Sequence, residues 1–279
     1  MTSSRAARTA VALGVAGAVA AAATALLRRQ AAVARGRIGK ALGEVARDAD
    51  KVWKPGLPGE PLDLLVLGDS IAAGLGAERR KDTLGARVAR GLAKEVHRPV
   101  RLRGAAVVGA ESSDLAAQLA GLPGGYRPHA VVIVVGGNDV THRVPVASAV
   151  AHLEHAVARL RDRGAAVVVG TCPDLGALRP VPQPLRAVGS RMSRQLAAAQ
   201  AAAVVRRGAH AVSLARTVGP AFLAEPDEMF ALDRFHPSAL GYRRTARAVV
   251  PALVAALAGG RTEAAPGHAC VAATARSTT

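Results

Sequence analysis

From residue 62 onward, short apolar runs alternate with longer stretches of helical periodicity, and this alternation narrows the folds open to the chain more than any other feature. The apolar runs fall at 62–67, 100–107, 130–135, 165–170 and 209–214. Runs such as 130–135 carry apolar residues at every position, the mark of a strand buried on both faces. Between and after them, 82–97, 112–121, 146–162, 190–207 and 238–257 repeat apolar residues at helical spacing. Strand, helix and strand in succession require parallel pairing through crossover connections. The expected fold is therefore α/β, a parallel five-stranded sheet with helices on both faces. In open sheets of this kind ligands sit beyond the carboxyl ends of the strands, near the point where strand order reverses. Chemistry is expected directly after the first three strands.

The rest of the chain divides around this domain, read as 62–258. Residues 9–27 carry no charge and are flanked by Arg5, Arg8, Arg28 and Arg29. A basic start, an apolar run and the small-residue exit Ala23-Thr24-Ala25 describe an export signal, and the length of the run approaches that of a bilayer span. Residues 1–30 are thus expected to be a signal peptide or an N-terminal membrane anchor. That places the protein in the exported fraction, secreted or held at the cell envelope. Residues 31–52 alternate apolar and basic positions (Val33, Ile38, Leu42, Val45) before Pro55, Pro58 and Pro61, so 31–61 reads as a juxtamembrane helix and a Pro-rich linker, and a helix packed on the domain would give the same pattern. Residues 259–279 read as a disordered tail.

The net charge of +17 invites a nucleic-acid reading. The excess is Arg scattered along the chain, without basic blocks interleaved with aromatics and without zinc-ligand spacing, so no nucleic-acid partner is expected. Cys172 and Cys270 are too few for a disulfide framework and lack metal-ligand spacing.

Four short motifs fall where an α/β sheet places its ligands. Gly68-Asp69-Ser70 follows the first strand, where a Ser in a tight exit turn points its hydroxyl into the crevice; an Asp-Ser helix cap is the other reading. Gly109 follows the second strand, either as a bare backbone N–H facing a substrate oxygen or as a simple turn. Gly136-Gly137-Asn138-Asp139 follows the third, and the Asn amide can donate to an oxyanion or occupy an ordinary turn. Asp233-Arg234-Phe235-His236-Pro237 precedes the last helix, with Pro237 suited to its first turn. A carboxylate three residues before a His can hold the imidazole as a general base; metal binding or capping are the alternatives, and nothing else in the chain completes a metal site. Ser112, Ser113 and Asp114 read as a helix N-cap cluster.

The four motifs, in this order, resemble those of the SGNH/GDSL serine hydrolases: Gly68-Asp69-Ser70 its first block, Gly109 its second, Gly136-x-Asn138-Asp139 its third and Asp233-x-x-His236 its last. The first block has Ile71 where many members have Leu, and the second has Ala105 and Gly109-Ala110-Glu111 in place of the residues that often surround its glycine. The resemblance implies a flavodoxin-like three-layer α/β/α fold, no cofactor, no metal, and hydrolysis of esters or thioesters through an acyl-enzyme. It makes Ser70 the nucleophile, His236 the base and Asp233 its orienter. The N–H groups of Ser70 and Gly109 and the Asn138 amide become the oxyanion hole, with Asp69 and Asp139 structural, holding their loops locally.

The pocket rim is expected from 140–145 and 172–188. The domain's only aromatics are Tyr126, Phe222, Phe230, Phe235 and Tyr242, which disfavours a carbohydrate platform. Short connections leave no lipase-like lid. A small acyl-ester or lipid substrate of short to medium chain length follows, with Arg143, Arg179 and Arg186 as solvated rim charges and membrane association through the N-terminal segment. An acyltransferase would use the same triad, and a catalytically inert membrane-surface binding protein would leave the pocket idle.

Overall fold

The structure, a computed structural model, describes residues 2–39 and 41–263. The chain opens with helix α1 (Thr2–Ile38), followed by strands β1 (Lys51–Trp53) and β2 (Leu62–Gly68), helices α2 (Ser70–Ala73) and α3 (Leu84–Val96), and strand β3 (Val100–Gly104). Helix α4 (Leu115–Ala120), strand β4 (Ala130–Val134), helices α5 (Gly137–Thr141) and α6 (Val146–Arg161), and strand β5 (Ala166–Gly170) come next. The final third holds α7 (Leu185–Arg206), β6 (His210–Val212), three short helices α8 (Leu214–Thr217), α9 (Gly219–Ala224) and α10 (Pro226–Met229), and α11 (Ala239–Glu263).

The strands form one sheet in the order β1-β3-β2-β4-β5-β6. Five of them, β2 to β6, pair in parallel as the alternation requires. The two faces divide by the period of two in each strand. Leu64 and Val66 of β2 pack with Leu84, Val88 and Leu92 of α3 and with Val249 and Leu253 of α11. Leu65 and Leu67 pack with Leu115 and Leu119 of α4, Leu153 and Val157 of α6, and Val204 of α7. The result is three layers, α/β/α. The chain leaves β2 to build β3 on one side and then returns to build β4 on the other, so strand order reverses beside β2, between the carboxyl ends of β2 and β4.

The structure corrects the sequence reading at both flanks of the domain. A sixth strand, β1, lies antiparallel on the β3 edge, pairing Trp53 with Val100. The segment 31–61 is therefore no free linker: Trp53 is buried, its indole N–H donates to the Ala49 carbonyl at 3.1 Å, and the Asp50 carboxylate accepts the Gly104 N–H at 2.7 Å. The helix expected through 52 stops at Ile38, where Gly39 and Gly43 adopt φ of +59° and +69° and break the periodicity. Val45, expected on a helix face, is exposed. Among the described residues no helix is long and apolar enough to cross a membrane. The last helix runs on to Glu263, past the expected domain end at 258; the rest of the expected tail, 264–279 with Cys270, lies outside the described residues.

Edge strand β1 makes a direct prediction. Trp53→Ala should cost about 3–5 kcal/mol, the range for emptying a buried Trp site. For a domain of this size that is a fall of roughly 6–20 °C in Tm by calorimetry. An unchanged Tm would return the segment to linker status.

Candidate active site

Strand β2 ends on Gly68, and the Asp69 N–H crosses to the Val134 carbonyl of β4 at 3.0 Å. A Cβ on Gly68 would stand 1.8 Å from that carbonyl oxygen, and its φ of +128° is one that side chains rarely adopt. Asp69 then caps α2 by accepting the Ile71 N–H at 2.9 Å. Ser70 is the first helical residue, so its own N–H belongs to the unpaired first turn and meets no acceptor among the described residues. The cap reading and the crevice reading of the motif hold together: Asp69 caps, and the Ser70 Oγ lies 2.9 Å from His236 Nε2.

His236 is held by the loop before α11. One Asp233 oxygen accepts the N–H groups of Phe235 and His236, each at 3.0 Å, while the other lies 2.6 Å from His236 Nδ1. That contact assigns the ring proton to Nδ1 and leaves the Nε2 lone pair facing the Ser70 hydroxyl. Burial pushes the Asp233 carboxyl up, but the bonds from the His236 ring and the two amides outweigh it and hold the group below its usual value. Pro237 stands before the helix rather than in its first turn; Ser238 caps it, its hydroxyl accepting the Leu240 and Gly241 N–H groups. The two loops meet through Tyr242, whose buried hydroxyl donates to the Leu75 carbonyl at 2.6 Å, and through Gly76, where a Cβ would stand 2.6 Å from the Pro237 carbonyl.

Asn138 sits in the first turn of α5, beyond β4, and lines the same cleft as Ser70. One of its amide hydrogens goes to the Ala110 carbonyl at 2.9 Å, which fixes the side chain and leaves the second hydrogen available. Gly109 has φ +85° and is exposed, and its N–H meets no acceptor among the described residues. It is not among the residues that line the cleft, to which it is tied only through the Ala110–Asn138 bond.

Both remaining motif acids are buried. Asp139 accepts the Ser112 N–H and hydroxyl, 27 residues away, so it joins two loops instead of bracing its own. Ser112, expected only as part of a cap cluster, is its partner. Burial raises the Asp139 pKa, and burial, opposed by the Ile71 amide and by His236, raises that of Asp69 to about 6.

Two residues that frame the site carry no motif. Gln118 of α4 brackets Gly68, donating to its carbonyl at 2.8 Å and accepting its N–H at 2.9 Å. Gln200 of α7 accepts the Cys172 N–H at 2.8 Å and donates to Val135 at 3.0 Å, joining the ends of β4 and β5. Each lies on the inward face of its helix, among Leu115 and Leu119 or Leu196 and Val204. A polar residue on an apolar stripe is the signal that marks them.

The cleft is apolar. The expected segment 172–188 supplies Leu175 and Leu178, but 140–145 is absent from its lining. In its place come Leu214, Val218, Phe222 and Phe230 from the α8–α10 connection, which is longer than the short loop expected. Three of the five domain aromatics, Phe222, Phe230 and Phe235, therefore line the cleft, with Phe222 edge-on to Phe230. Cys172 is a free, buried thiol whose pKa burial pushes well up. Among the described residues no group of His, Cys, Asp and Glu could hold a metal ion.

A Ser–His–Asp relay at the carboxyl end of a parallel three-layer sheet defines a serine hydrolase of the SGNH type. The comparisons agree: residues 66–244 match the model of the GDSL-like lipase/acylhydrolase family, and the chain belongs to that family. It is 40% identical over 267 residues to a GDSL-like esterase of Mycobacterium tuberculosis, covering 90% of this chain and 84% of that protein. Among solved structures it resembles LAE5, an alpha/beta hydrolase from the metagenome of Lake Arreo (TM-score 0.55, 22% identity, 71% of this chain and 95% of that one). It also resembles TesA (TM-score 0.55, 24% identity, 70% and 99%). These two likenesses concern the fold. With family membership comes the enzyme class, carboxylic ester hydrolysis.

Asp69 yields a pH prediction. Its folded pKa, about 6, lies above the ordinary 3.8, so the native state binds more protons between these values and stability falls as pH rises through that window. The cost is absent below about pH 4 and complete above about pH 6. Asn keeps an acceptor for the Ile71 N–H and cannot ionise. Urea titrations should find Asp69→Asn level with wild type near pH 4 and more stable at pH 8, by on the order of 2–3 kcal/mol. A difference that does not change with pH would contradict the assignment.

Proposed function

We propose that the protein hydrolyses short- to medium-chain carboxylic esters, thioesters included, through an acyl-enzyme on Ser70. The observation that carries this reading is the unbroken relay from Ser70 Oγ to His236 Nε2 at 2.9 Å and from Nδ1 to Asp233 at 2.6 Å. Ser70 Oγ attacks the ester carbonyl carbon as His236 Nε2 takes its proton. The tetrahedral oxyanion is met by the Ser70 N–H and the second Asn138 hydrogen, while Gly109, outside the cleft lining, acts only through the neighbouring Ala110 carbonyl that holds the Asn138 amide. His236 returns the proton to the departing alkoxide or thiolate, leaving acyl-Ser70. A water activated by the same nitrogen then releases the acid. Asp233, held ionised, keeps the proton on Nδ1 and stabilises the imidazolium.

Chain length is argued from the cleft. Its volume, about 70 Å³, and its apolar lining suit a small acyl group. In the same reading residues 1–30 direct export to the cell envelope or beyond, supported by the uncharged run with Arg at both ends.

Asn138 provides the test. An oxyanion donor strengthens its bond as charge builds, so its loss falls on kcat more than on KM. Steady-state kinetics on p-nitrophenyl butyrate should show Asn138→Ala lowering kcat by ~10²–10³, about 2.7–4 kcal/mol. Asn138→Asp should be at least as damaging, because it sets a negative charge beside the oxyanion. An Asn138→Asp enzyme with near-normal kcat would remove Asn138 from the chemistry.

A further inference from the structure

A second apolar groove adjoins the cleft and shares a wall with it. Leu175, Leu178 and Phe235 line both spaces, and Phe235 stands edge-on against the His236 ring at 4.8 Å between centroids. The groove is the larger of the two, about 520 Å³ against about 70 Å³ for the cleft.

Its far wall is the C-terminal part of α1. Leu27, Ala31, Ala34 and Ile38 recur at the three- and four-residue spacing of one helical face, and all four line the groove. Val15, Val19 and Leu26 of the same helix are exposed, so from Val15 onward, where side chains are described, α1 meets the domain along its last turns. Polar contacts seat it there: the Gln30 side chain donates to the Gln183 carbonyl and accepts the Leu185 N–H at 2.9 Å, and Arg37 donates to the Pro180 carbonyl at 3.3 Å. Opposite, α7 contributes Val188 and Met192. Ala31 and Ala34, small residues on a face that otherwise carries Leu and Ile, leave the space between the helices open.

We propose that this groove holds the distal part of a medium-length acyl chain whose carbonyl sits at Ser70, and that residues 27–38 of α1 set the chain-length preference. The inference rests on the ester-hydrolase reading above and extends it. The occupant is an alkyl chain because the wall shared with the cleft is aliphatic and aromatic and the wall given by α1 is aliphatic apart from Arg35. The cleft at Ser70 is the smaller of the two spaces, and a chain that outgrows it meets the groove across the wall they share. Arg35 and Arg143, also at the groove, are exposed and add the apolar parts of their side chains while the charged ends stay in water. Cleavage of a leader after Ala25 would leave Leu27 to Ile38 on the mature chain, so export and this role are compatible.

Two measurements test the proposal on the full chain. In the first, the wild-type protein is inactivated with p-nitrophenyl esters of ethylphosphonate and of decylphosphonate, and hydrogen exchange is followed in both adducts. The decyl adduct should slow exchange in 27–38 relative to the ethyl adduct. Equal exchange in two confirmed Ser70 adducts overturns the groove, whereas failure of both reagents to modify Ser70 overturns the hydrolase reading itself. In the second, Ala31→Trp fills the groove from the α1 side. Its ratio of kcat/KM for p-nitrophenyl decanoate to that for the acetate should fall at least about tenfold, and a wild-type ratio would overturn the proposal.

Discussion

The Asp69 N–H reaches the Val134 carbonyl at 3.0 Å, and this approach leaves no space for a side chain on Gly68. Because β2 and β4 close on each other so tightly at this point, the chain must leave β2 through a sharp turn, with Ser70 raised at the start of α2 and not buried in the sheet. The reversal of strand order falls at the same place, so Asn138 leaves β4 into the same crevice. Every other part of the site is arranged around that backbone contact. Gln118 brackets Gly68 from α4, Tyr242 joins α11 to the turn after α2, and the loop carrying Asp233 and His236 rests against Gly76.

The chemistry is concentrated among buried polar groups, and the structure satisfies them by cross-links between loops. Asp139 binds Ser112, Gln200 binds Cys172 and Val135, and Asp233 takes two amides as well as the imidazole. Such groups are costly when unpaired in a low-dielectric interior and rigid when paired. A relay that must keep Ser70, His236 and Asp233 within hydrogen-bond distance benefits from that rigidity. Asp69 pays for it most visibly: burial outweighs its bonds and pushes its carboxyl up to about 6.

Much of this was legible in the chain itself. The uninterrupted apolar runs and the helical stretches between them predict the parallel core, and motifs placed after successive strands predict which side chains meet. Three things were not. Strand β1 is three residues long and its partner lies some fifty residues away, so only Trp53, a lone large apolar residue in a polar segment, marked it. The α8–α10 lining of the cleft hides in a stretch of short helices, each too brief to show a period. The groove along α1 depends on how a helix, read as a leader to residue 30 and as a juxtamembrane helix beyond it, docks on α7, which is a matter of tertiary contact and leaves only the spacing of Leu27, Ala31, Ala34 and Ile38 in the sequence.

The central claim is that one hydroxyl, at Ser70, is made nucleophilic by the relay behind it. Intact-protein mass after treatment with a fluorophosphonate tests this most directly, since the reagent reacts far faster with a serine activated by a neighbouring base than with an ordinary hydroxyl. The account predicts a single adduct on the wild-type chain, mapped to Ser70, and none on Ser70→Ala. Stoichiometric modification of the Ser70→Ala chain would place the nucleophile elsewhere and contradict it.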